Sequence, residues 1–325
     1  MESKTRIKGN VHYVGVNDRN KHRFEAMWPL PYGVSYNSYL IDDEMVALVD
    51  TVDICYFEVY LRKIKQVIGE RPINYLIINH MEPDHSGSIR LIKQHYPEII
   101  IVGNKQTFGM IEGFYGVTGE QYLVKEGDFL ALGHHKLRFY MTPMVHWPET
   151  MMTFDETDGV LFSGDGFGCF GTVDGGFLDT RINVDKYWGE MVRYYSNIVG
   201  KYGSSVQKAL QKLGGLPISA ICSTHGPVWT ENIAKVIGIY DRLSRYDADE
   251  GVVIAYGSMY GNTEQMAEAI AEELSAQGVK NIVMHNVTKS HPSYIIADIF
   301  RYKGLIIGSP TYSNQIFPEV EALLS

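Results

Sequence analysis

The segment His80-Met81-Glu82-Pro83-Asp84-His85 constrains this chain more than any other. It brings four potential metal ligands, two imidazoles and two carboxylates, into six residues directly after an apolar run at 73–79 that predicts a buried strand. Ser86-Gly87-Ser88 then opens a segment of helical spacing, so we expect the ligands in a strand-to-helix turn. Such a turn can aim several side chains at one point, whereas a regular helix sends consecutive residues to different faces. Any one of these residues could be an ordinary polar loop residue, but all four together favour a metal site.

Three further candidate ligands each follow a predicted strand. They are His146 after 137–141, Asp165 after 159–164 and His225 after 218–224. Seven ligands suffice for two metal ions if one carboxylate bridges them, and Asp165, alone on its strand, is the natural bridge. Taken singly, His146 could stack on Trp147 and Asp165 could cap a turn. Ligand-type residues at four strand ends make a dinuclear metal site the better interpretation.

Composition excludes several classes of protein. With 325 residues, 45% of them hydrophobic, the chain is long enough for two domains. The net charge of -9 and the absence of any Lys/Arg-rich run argue against a nucleic-acid partner. No apolar stretch reaches the roughly 18 residues of a membrane span, and the polar residues 1–6 lead into no secretory signal. The three cysteines form no CxxC pair, which favours a reduced, cytoplasmic protein.

The pattern of apolar residues divides the chain into two parts. Before the charged connection 244–251 it predicts a hairpin of 35–41 with 45–50 joined at 42–44, helices at 57–68 and within 186–212, and strands at 98–102, 136–141, 150–154, 159–162 and 218–222. After it, strands at 252–256, 281–287 and 304–308 alternate with helical segments, the first at 263–277. Such alternation indicates a parallel, doubly wound sheet. We therefore predict an α/β chain with domains at 1–248 and 249–325.

The ligand-bearing strand ends resemble the metallo-β-lactamase fold, an αββα sandwich. That family usually has His-x-His-x-Asp-His at its first cluster and commonly holds two zinc ions. Here Glu82 replaces the second His, exchanging a nitrogen donor for a harder, anionic oxygen donor. This enrichment in carboxylates suits iron better than a nitrogen-rich zinc site does. Ligand type alone leaves zinc and manganese open.

A narrower resemblance comes from the whole pattern, His-x-Glu-x-Asp-His followed by His, Asp and His and then by a flavodoxin-like segment. It resembles the flavodiiron proteins, also called A-type flavoproteins, and the flanking stretches 146–151, 162–165 and 225–229 fit as well. The resemblance implies two iron ions. One would take His80, Glu82 and His146, the other Asp84, His85 and His225, with Asp165 shared. Family members are similar around His85, yet the imidazole there need not be bound.

The same resemblance suggests aromatic residues for the pocket beside the irons. They are Tyr194, Tyr195 and Phe24. Their alternative role, as core aromatics in a tyrosine-rich chain, explains them equally well. No separate acid or base stands out in the sequence.

Two loops predict a site for flavin mononucleotide (FMN). They are Ser258-Met259-Tyr260-Gly261-Asn262-Thr263 and Ser309-Pro310-Thr311-Tyr312-Ser313-Asn314. Backbone amides at a helix N-terminus, with hydroxyls beside them, can hold a phosphate without a lysine. The first loop lacks Gly-Lys-Ser/Thr, so it resembles the phosphate loop of flavodoxins and not a nucleotide-hydrolysing one. Both loops follow strands, where doubly wound sheets bind ligands.

The second domain is shorter than a complete flavodoxin-like domain, which needs about 140 residues. From Gly251 to Ser325 the chain supplies 75. We therefore expect an incomplete flavodoxin-like sheet, truncated at its C-terminal half, and a sequence that is a fragment of a longer chain. FMN binding by the truncated domain is then an open question.

The resemblance implies a cytoplasmic oxidoreductase in which FMN passes electrons to the iron pair, which reduces O2 to water or NO to N2O. It also implies a head-to-tail homodimer or a dimer of dimers, with rubredoxin or a reduced deazaflavin as electron donor. A dizinc hydrolase of the same fold is the alternative, and an electron-transfer module without turnover ranks last. The sequence leaves the choice between O2 and NO, the donor and the stoichiometry of assembly open.

Overall fold

Two β-sheets face each other in the larger part of the chain, and a third sheet follows them. The computed structural model describes residues 4–325, so the first three residues of the polar N-terminal segment lie outside it. The strands are β1 Arg6–Lys8, β2 Val11–Tyr13, β3 Val16–Asp18, β4 Arg23–Phe24, β5 Trp28–Pro29, β6 Val34–Tyr36, β7 Tyr39–Ile41, β8 Ala47–Val49, β9 Tyr75–Ile77, β10 Ile100–Gly103, β11 Gln121–Leu123, β12 Phe129–Ala131, β13 Lys136–Met141, β14 Met151–Asp155, β15 Val160–Gly164, β16 Ala220–Ser223, β17 Asp249–Tyr256, β18 Ile282–Asn286, β19 Tyr302–Gly308, β20 Thr311–Tyr312 and β21 Gln315–Ile316.

Helices cover the outer faces of these sheets. They are α1 Phe57–Ile68, α2 Pro83–Ser86, α3 Ile89–His95, α4 Lys105–Tyr115, α5 Asp185–Tyr194, α6 Gly203–Leu213, α7 Ile233–Ser244, α8 Asn262–Ala276, α9 Pro292–Arg301 and α10 Pro318–Leu324. Among residues 4–325, none of these helices has the length and apolar character needed to cross a membrane.

The first two sheets form the inner layers of an αββα sandwich. One has the order β1-β2-β7-β8-β9-β10-β11 and the other the order β12-β13-β14-β15-β16. Side chains alternate along each strand, so Ala47 and Val49 join the core between the sheets while Leu48 faces the helices. Helix α1 packs its apolar residues, spaced three or four positions apart, against that outer face. They are Phe57, Tyr60, Leu61, Ile64 and Ile68. The predicted sandwich is confirmed.

Parallel pairing decides where the site lies. In the first sheet β8 runs parallel to β9, and in the second β15 runs parallel to β16. The carboxyl ends of both pairs meet at one edge of the sandwich, where the backbone N–H of Met151 donates to the carbonyl of Asn79 across 3.0 Å and the N–H of Asn37 donates to the carbonyl of Thr224 across 2.7 Å. Residues that follow these four strands are thereby brought together.

The third sheet has the order β18-β17-β19, and both pairings are parallel. Helix α8 packs Ala267 against Ile254 and Tyr256 on one face, while Ile295 of α9 and Val320 of α10 pack against Ala255 on the other. Helices on both faces of a parallel sheet define a doubly wound fold, and this strand order is the one that flavodoxins use.

Several predicted elements differ in detail from those in the structure. Residues 35–36 belong to β6, which pairs with β3, so the predicted hairpin is limited to β7 and β8. The helical stretch 186–212 is interrupted by a π-helical turn, Tyr195–Val199, and by a 3-10 turn, Gly200–Tyr202. The segment after His80 is not a simple turn, because Asp84 and His85 lie on the single-turn helix α2, which Pro83 starts at its first position.

Candidate metal centre and flavin loops

All seven predicted ligands meet at the carboxyl edge of the two parallel strand pairs. His80 follows β9, Asp165 follows β15 and His225 follows β16. His146 lies in the connection between β13 and β14, where β14 runs antiparallel to β15 and so begins at the same edge. Every one of the seven is buried, with Asp84 the most exposed at 7%.

The first half of the cluster is formed by His80, Glu82 and His146. Nε2 of His146 lies 3.1 Å from Oε2 of Glu82 and 3.4 Å from Nε2 of His80. Nε2 of His80 lies 3.7 Å from the same Glu82 oxygen. The three donor atoms therefore surround one point.

The second half is formed by Asp84, His85 and His225, whose ligand atoms lie within 4.8 Å of one another. Nε2 of His225 is 3.3 Å from Oδ2 of Asp84, and Nε2 of His85 is 3.6 Å from Oδ1 of the same residue. Asp84 and His85 are consecutive residues of the single-turn helix α2, and both side chains are buried.

Asp165 lies between the two halves. Its Oδ2 is 3.0 Å from Nε2 of His146, and its Oδ1 is 3.2 Å from Nε2 of His85 and 3.6 Å from Nε2 of His225. Each carboxylate oxygen thus faces a different half. This is the placement that a carboxylate needs in order to bridge two cations.

Several buried donor atoms of the cluster lack a well-aligned hydrogen bond within residues 4–325. They are both carboxylate oxygens of Asp84, both ring nitrogens of His85 and Nε2 of His225. Orphaned polar atoms in a dry interior cost free energy unless something binds them. Because imidazole nitrogens and carboxylate oxygens are all ligands for first-row divalent metals, the residues fit a pair of such ions.

Residues outside the ligand set orient the imidazoles. Nδ1–H of His80 donates to Oε1 of Glu149 over 2.6 Å, and Nδ1–H of His225 donates to the carbonyl of Ser35 over 2.8 Å. Each contact leaves Nε2 free for the metal, because an imidazole that donates through one nitrogen presents the other as its acceptor. Glu149 appears in the sequence three residues after His146, but its role depends on a contact that no spacing shows.

Two further residues support the carboxylate and the ligand turn, and sequence reasoning missed both. The hydroxyl of Thr224 donates to Oδ1 of Asp165. Asp50, which follows β8, accepts from the backbone N–H of Asn79 at 2.8 Å and from its side-chain amide at 3.1 Å. Position after a strand, the signal that identified Asp165, could also have identified Asp50.

The electrostatics of the metal-free cluster favour cations. Burial opposes charge on His146, but hydrogen bonds with Asp165 and Glu82 outweigh it and raise its pKa to about 10. Burial likewise opposes charge on His80 and His85, yet nearby carboxylates raise the pKa of each to about 9. For Asp84, burial and the charge of Glu82 raise the pKa to about 6. Positive charge in the centre of three carboxylates is therefore stabilised.

Aromatic side chains wall the second half. The rings of Phe24 and Tyr194 lie 5.3 and 5.7 Å from that of His225, and the Tyr194 hydroxyl is buried without a hydrogen-bond partner in the described chain. Tyr195 does not join them, because its ring packs against Tyr240 at 5.0 Å. Trp147 packs edge-on to His80 at 5.2 Å, closer than its 6.1 Å approach to His146.

The two predicted FMN loops lie side by side. They follow β17 and β19, which pair in parallel. Thr263 of the first loop lies close to Gly308 at the end of β19, since a Cβ placed on this glycine would be 3.3 Å from Cγ2 of Thr263. The hydroxyl of Ser258 accepts from the N–H of Gly261 at 3.1 Å, and Gly261 has a φ of 90° that a side chain would strain. This leaves the first turn of α8 as a polar edge of the kind that binds phosphate.

The second loop forms a small hairpin of β20 and β21, turned by Ser313 and Asn314 with φ of 48° and 61°. Tyr312 projects from it with 51% of its surface exposed, and Tyr260 of the first loop is 89% exposed. Met259, Asn262, Pro310 and Thr311 complete the two loops. In flavodoxin-like sheets FMN binds at the point between the first and third strands, which here are β17 and β19.

Family models match both parts of the chain. Residues 34–226 match the ODP family beta lactamase, and residues 254–325 match flavodoxin. The first match alone covers more than half of the 325 residues.

Named relatives cover almost the whole chain. The anaerobic nitric oxide reductase flavorubredoxin of Vibrio vulnificus (strain YJ016) is 32% identical over 324 residues, which are 98% of this chain and 65% of the relative. The same-named protein of Escherichia coli O6:K15:H31 is also 32% identical, over 67% of its length. This chain therefore spans about two thirds of the length of these relatives.

Solved structures agree with the sequence matches. The rubredoxin oxygen:oxidoreductase of Desulfovibrio gigas superimposes with a TM-score of 0.93 at 31% identity, covering 97% of this chain and 79% of that one. The flavodiiron protein of Giardia intestinalis gives a TM-score of 0.93 at 28% identity, covering 97% and 77%. The chain belongs to the flavodiiron protein family, whose cofactors are a pair of iron ions and FMN.

Proposed function

We propose that this protein is an oxidoreductase that reduces a diatomic oxidant, O2 to water or NO to N2O, at a diiron site supplied with electrons through FMN. The observation that carries the proposal is the convergence of seven buried ligands around two points with Asp165 between them. The names of the relatives, a nitric oxide reductase and a rubredoxin oxygen:oxidoreductase, support the reaction class.

We assign His80, Glu82 and His146 to one iron and Asp84, His85 and His225 to the other, with Asp165 shared. Three carboxylates among seven ligands favour iron over zinc, because hard anionic oxygen donors stabilise its ferric state. When bound, the two irons supply electrons and two adjacent Lewis-acid positions for the diatomic molecule. The chain's own residues set the ligand geometry and exclude bulk water, since all seven ligands are buried.

For electron entry we propose that FMN binds the loops 258–263 and 309–314, with its phosphate at the first turn of α8. Rubredoxin or a reduced deazaflavin would reduce it, and the names flavorubredoxin and rubredoxin oxygen:oxidoreductase among the relatives support the first. A head-to-tail homodimer, or a dimer of dimers, would place the FMN of one subunit near the irons of another. The cysteines of the described chain are all unpaired, which supports a cytoplasmic location.

Metal analysis combined with anaerobic single turnover tests the proposal. The metal content of the protein as purified is measured, the reduced protein is mixed with one equivalent of O2 or with two of NO, and oxidation of the flavin and the products are recorded. Two irons per chain with water or N2O formed support it. Two zinc ions with no consumption of either gas would instead indicate the dizinc hydrolase, and activity that persists in diluted monomers would contradict the dimer.

A further inference from the structure

A cavity of about 860 Å³ opens beside the metal centre. The β4–β5 hairpin, the π-helical and 3-10 turns, and helices α9 and α10 line it, and His146 forms part of its wall. Of the seven assigned ligands, His146 is the one that lines this cavity within residues 4–325. The cavity therefore connects solvent to the half of the centre that holds His80, Glu82 and His146.

Glu25 lines the same wall, held there by a costly backbone turn. It connects Phe24 to Trp28, which pair across β4 and β5, and both Glu25 and Ala26 adopt left-handed φ values of 48° and 59°. Residues other than glycine seldom take this conformation, and where they do so at a site the strain points to a function. Oε2 of Glu25 accepts a hydrogen bond of 3.1 Å from the indole N–H of Trp28, which orients the carboxyl group.

Groups around Glu25 shift the pKa of its carboxyl group upward. Burial and the charge of Glu82 raise the pKa of Glu25, while the Trp28 hydrogen bond and the charge of His146 lower it less. The shift has the direction that suits a proton donor. Other titratable or charged groups that line the cavity are Arg23, Lys201, Tyr202, Tyr246 and His291. The charge of Asp165 at the centre also acts on Glu25 and raises its pKa.

We propose that Glu25 is the acid that delivers protons to the oxygen atoms of the substrate at the iron pair, through the cavity it shares with His146. The inference rests on the proposed function and adds a residue to it. Reduction of O2 to two waters consumes four electrons and four protons, and reduction of two NO to N2O and water consumes two of each. FMN and the irons, when bound, would supply the electrons. Each proton passes from the Glu25 carboxyl group to a substrate oxygen, and solvent in the cavity returns a proton to the carboxylate.

The principal test compares the iron-loaded protein with Glu25→Gln, which keeps the size of the side chain and an acceptor for Trp28. We expect kcat for gas reduction to fall about 100-fold, with KM and the iron content unchanged. Glu58→Gln, a change of an exposed glutamate on α1, serves as the matched control and should keep full activity. Glu25→Gly suits the left-handed φ, so it should fold while losing the acid, and acetate should restore its activity where acetamide does not.

A second readout is independent of turnover. The fluorescence of Trp28, obtained as the difference between the protein and Trp28→Phe, should titrate with an inflection above the ordinary pKa of glutamate, and this inflection should vanish in Glu25→Gln. An active parent with a Glu25→Gln variant of equal kcat overturns this inference alone. A Glu25→Gln variant that loses iron overturns it as well, since the carboxylate would then be needed to hold metal. A parent that consumes neither gas overturns both this inference and the proposed function.

Discussion

Nδ1 of His80 and Oε1 of Glu149 lie 2.6 Å apart, and both residues are fully buried. The same carboxylate oxygen accepts from the N–H of Met81 at 2.9 Å, so Glu149 orients both the imidazole and the backbone of the ligand turn. Burial disfavours its charge, but the hydrogen bond and charge of His80 lower the pKa of Glu149. A charged Glu149 thus directs Nε2 of His80 toward the metal.

Replacing Glu149 with Gln should weaken iron binding at the half that His80 serves. Residues that orient a metal-bound imidazole typically change affinity by about 10- to 100-fold. Competition with an iron chelator measures the change, and Glu120→Gln, on the exposed surface, is the control. An unchanged affinity in Glu149→Gln would show that the contact is not needed to hold the ligand.

Asp165→Ala should release both irons, whereas His225→Ala should release mainly one. The reason is that Asp165 faces both halves of the centre, while His225 approaches only the half that contains Asp84. Iron per chain, measured by elemental analysis after gel filtration, distinguishes the two variants. Retention of two irons by Asp165→Ala would refute the shared carboxylate.

Loading the metal-free protein with ferrous iron should release protons, and iron affinity should rise with pH. His80 and His85, with pKa of about 9, and His146, with pKa of about 10, are protonated at pH 7 in the metal-free state. A metal binds only the neutral imidazole, so each bound proton competes with it and about three protons should leave at pH 7. As pH rises toward these values the competition disappears. Proton release in a weakly buffered anaerobic solution gives the number, and release near zero would contradict the prediction.

His135 forms a second buried pair, remote from the irons, that should stabilise the fold in a pH-dependent way. Burial opposes its charge, but the hydrogen bond of 2.9 Å to Asp155 raises its pKa. A group whose pKa is raised on folding contributes stability that is full below its unfolded value of about 6.5. That contribution is lost as pH rises through the folded value.

His135→Ala should therefore lower the free energy of unfolding by about 3–5 kcal/mol at pH 6, because it leaves the buried Asp155 without its partner. The difference from the parent should shrink at alkaline pH. Urea unfolding at the two pH values measures it, with the exposed neighbour His134→Ala as control. A loss that is equal at both pH values would show that the charge of His135 does not matter.

Ser258→Ala should lower FMN affinity about 10- to 100-fold, since a hydrogen bond to a charged group contributes roughly 1.5–3 kcal/mol. The hydroxyl also accepts from the N–H of Gly261, so its loss loosens the turn that presents the backbone amides. Quenching of flavin fluorescence on titration measures the affinity, and Ser275→Ala on α8 is the control. Equal affinity would place the phosphate elsewhere.

Local patterning was sufficient to predict much of the fold. Alternating apolar residues predicted β13 with its observed bounds, and helical spacing predicted α1 with its observed bounds. The short strands β3 to β5 were not predicted, because two or three residues carry no period and pair only through long-range contacts. The helical spacing across 186–212 likewise gave no sign of the π-helical turn that begins at Tyr195. That turn packs against α9.

The amino-acid sequence by itself determined the ligand types and their position after strands, since the side chains and the apolar runs before them are local properties of the chain. Only the tertiary structure decided which atoms meet. It brought Asp165 between the two halves, joined Glu149 to His80 and placed Glu25 on the wall beside His146, while directing Tyr195 into the core. These contacts join residues that are far apart along the chain. His80, for example, is 66 positions from His146 and 69 from Glu149. Strand pairing and sheet packing create such contacts, and the spacing of residues along a chain does not encode them.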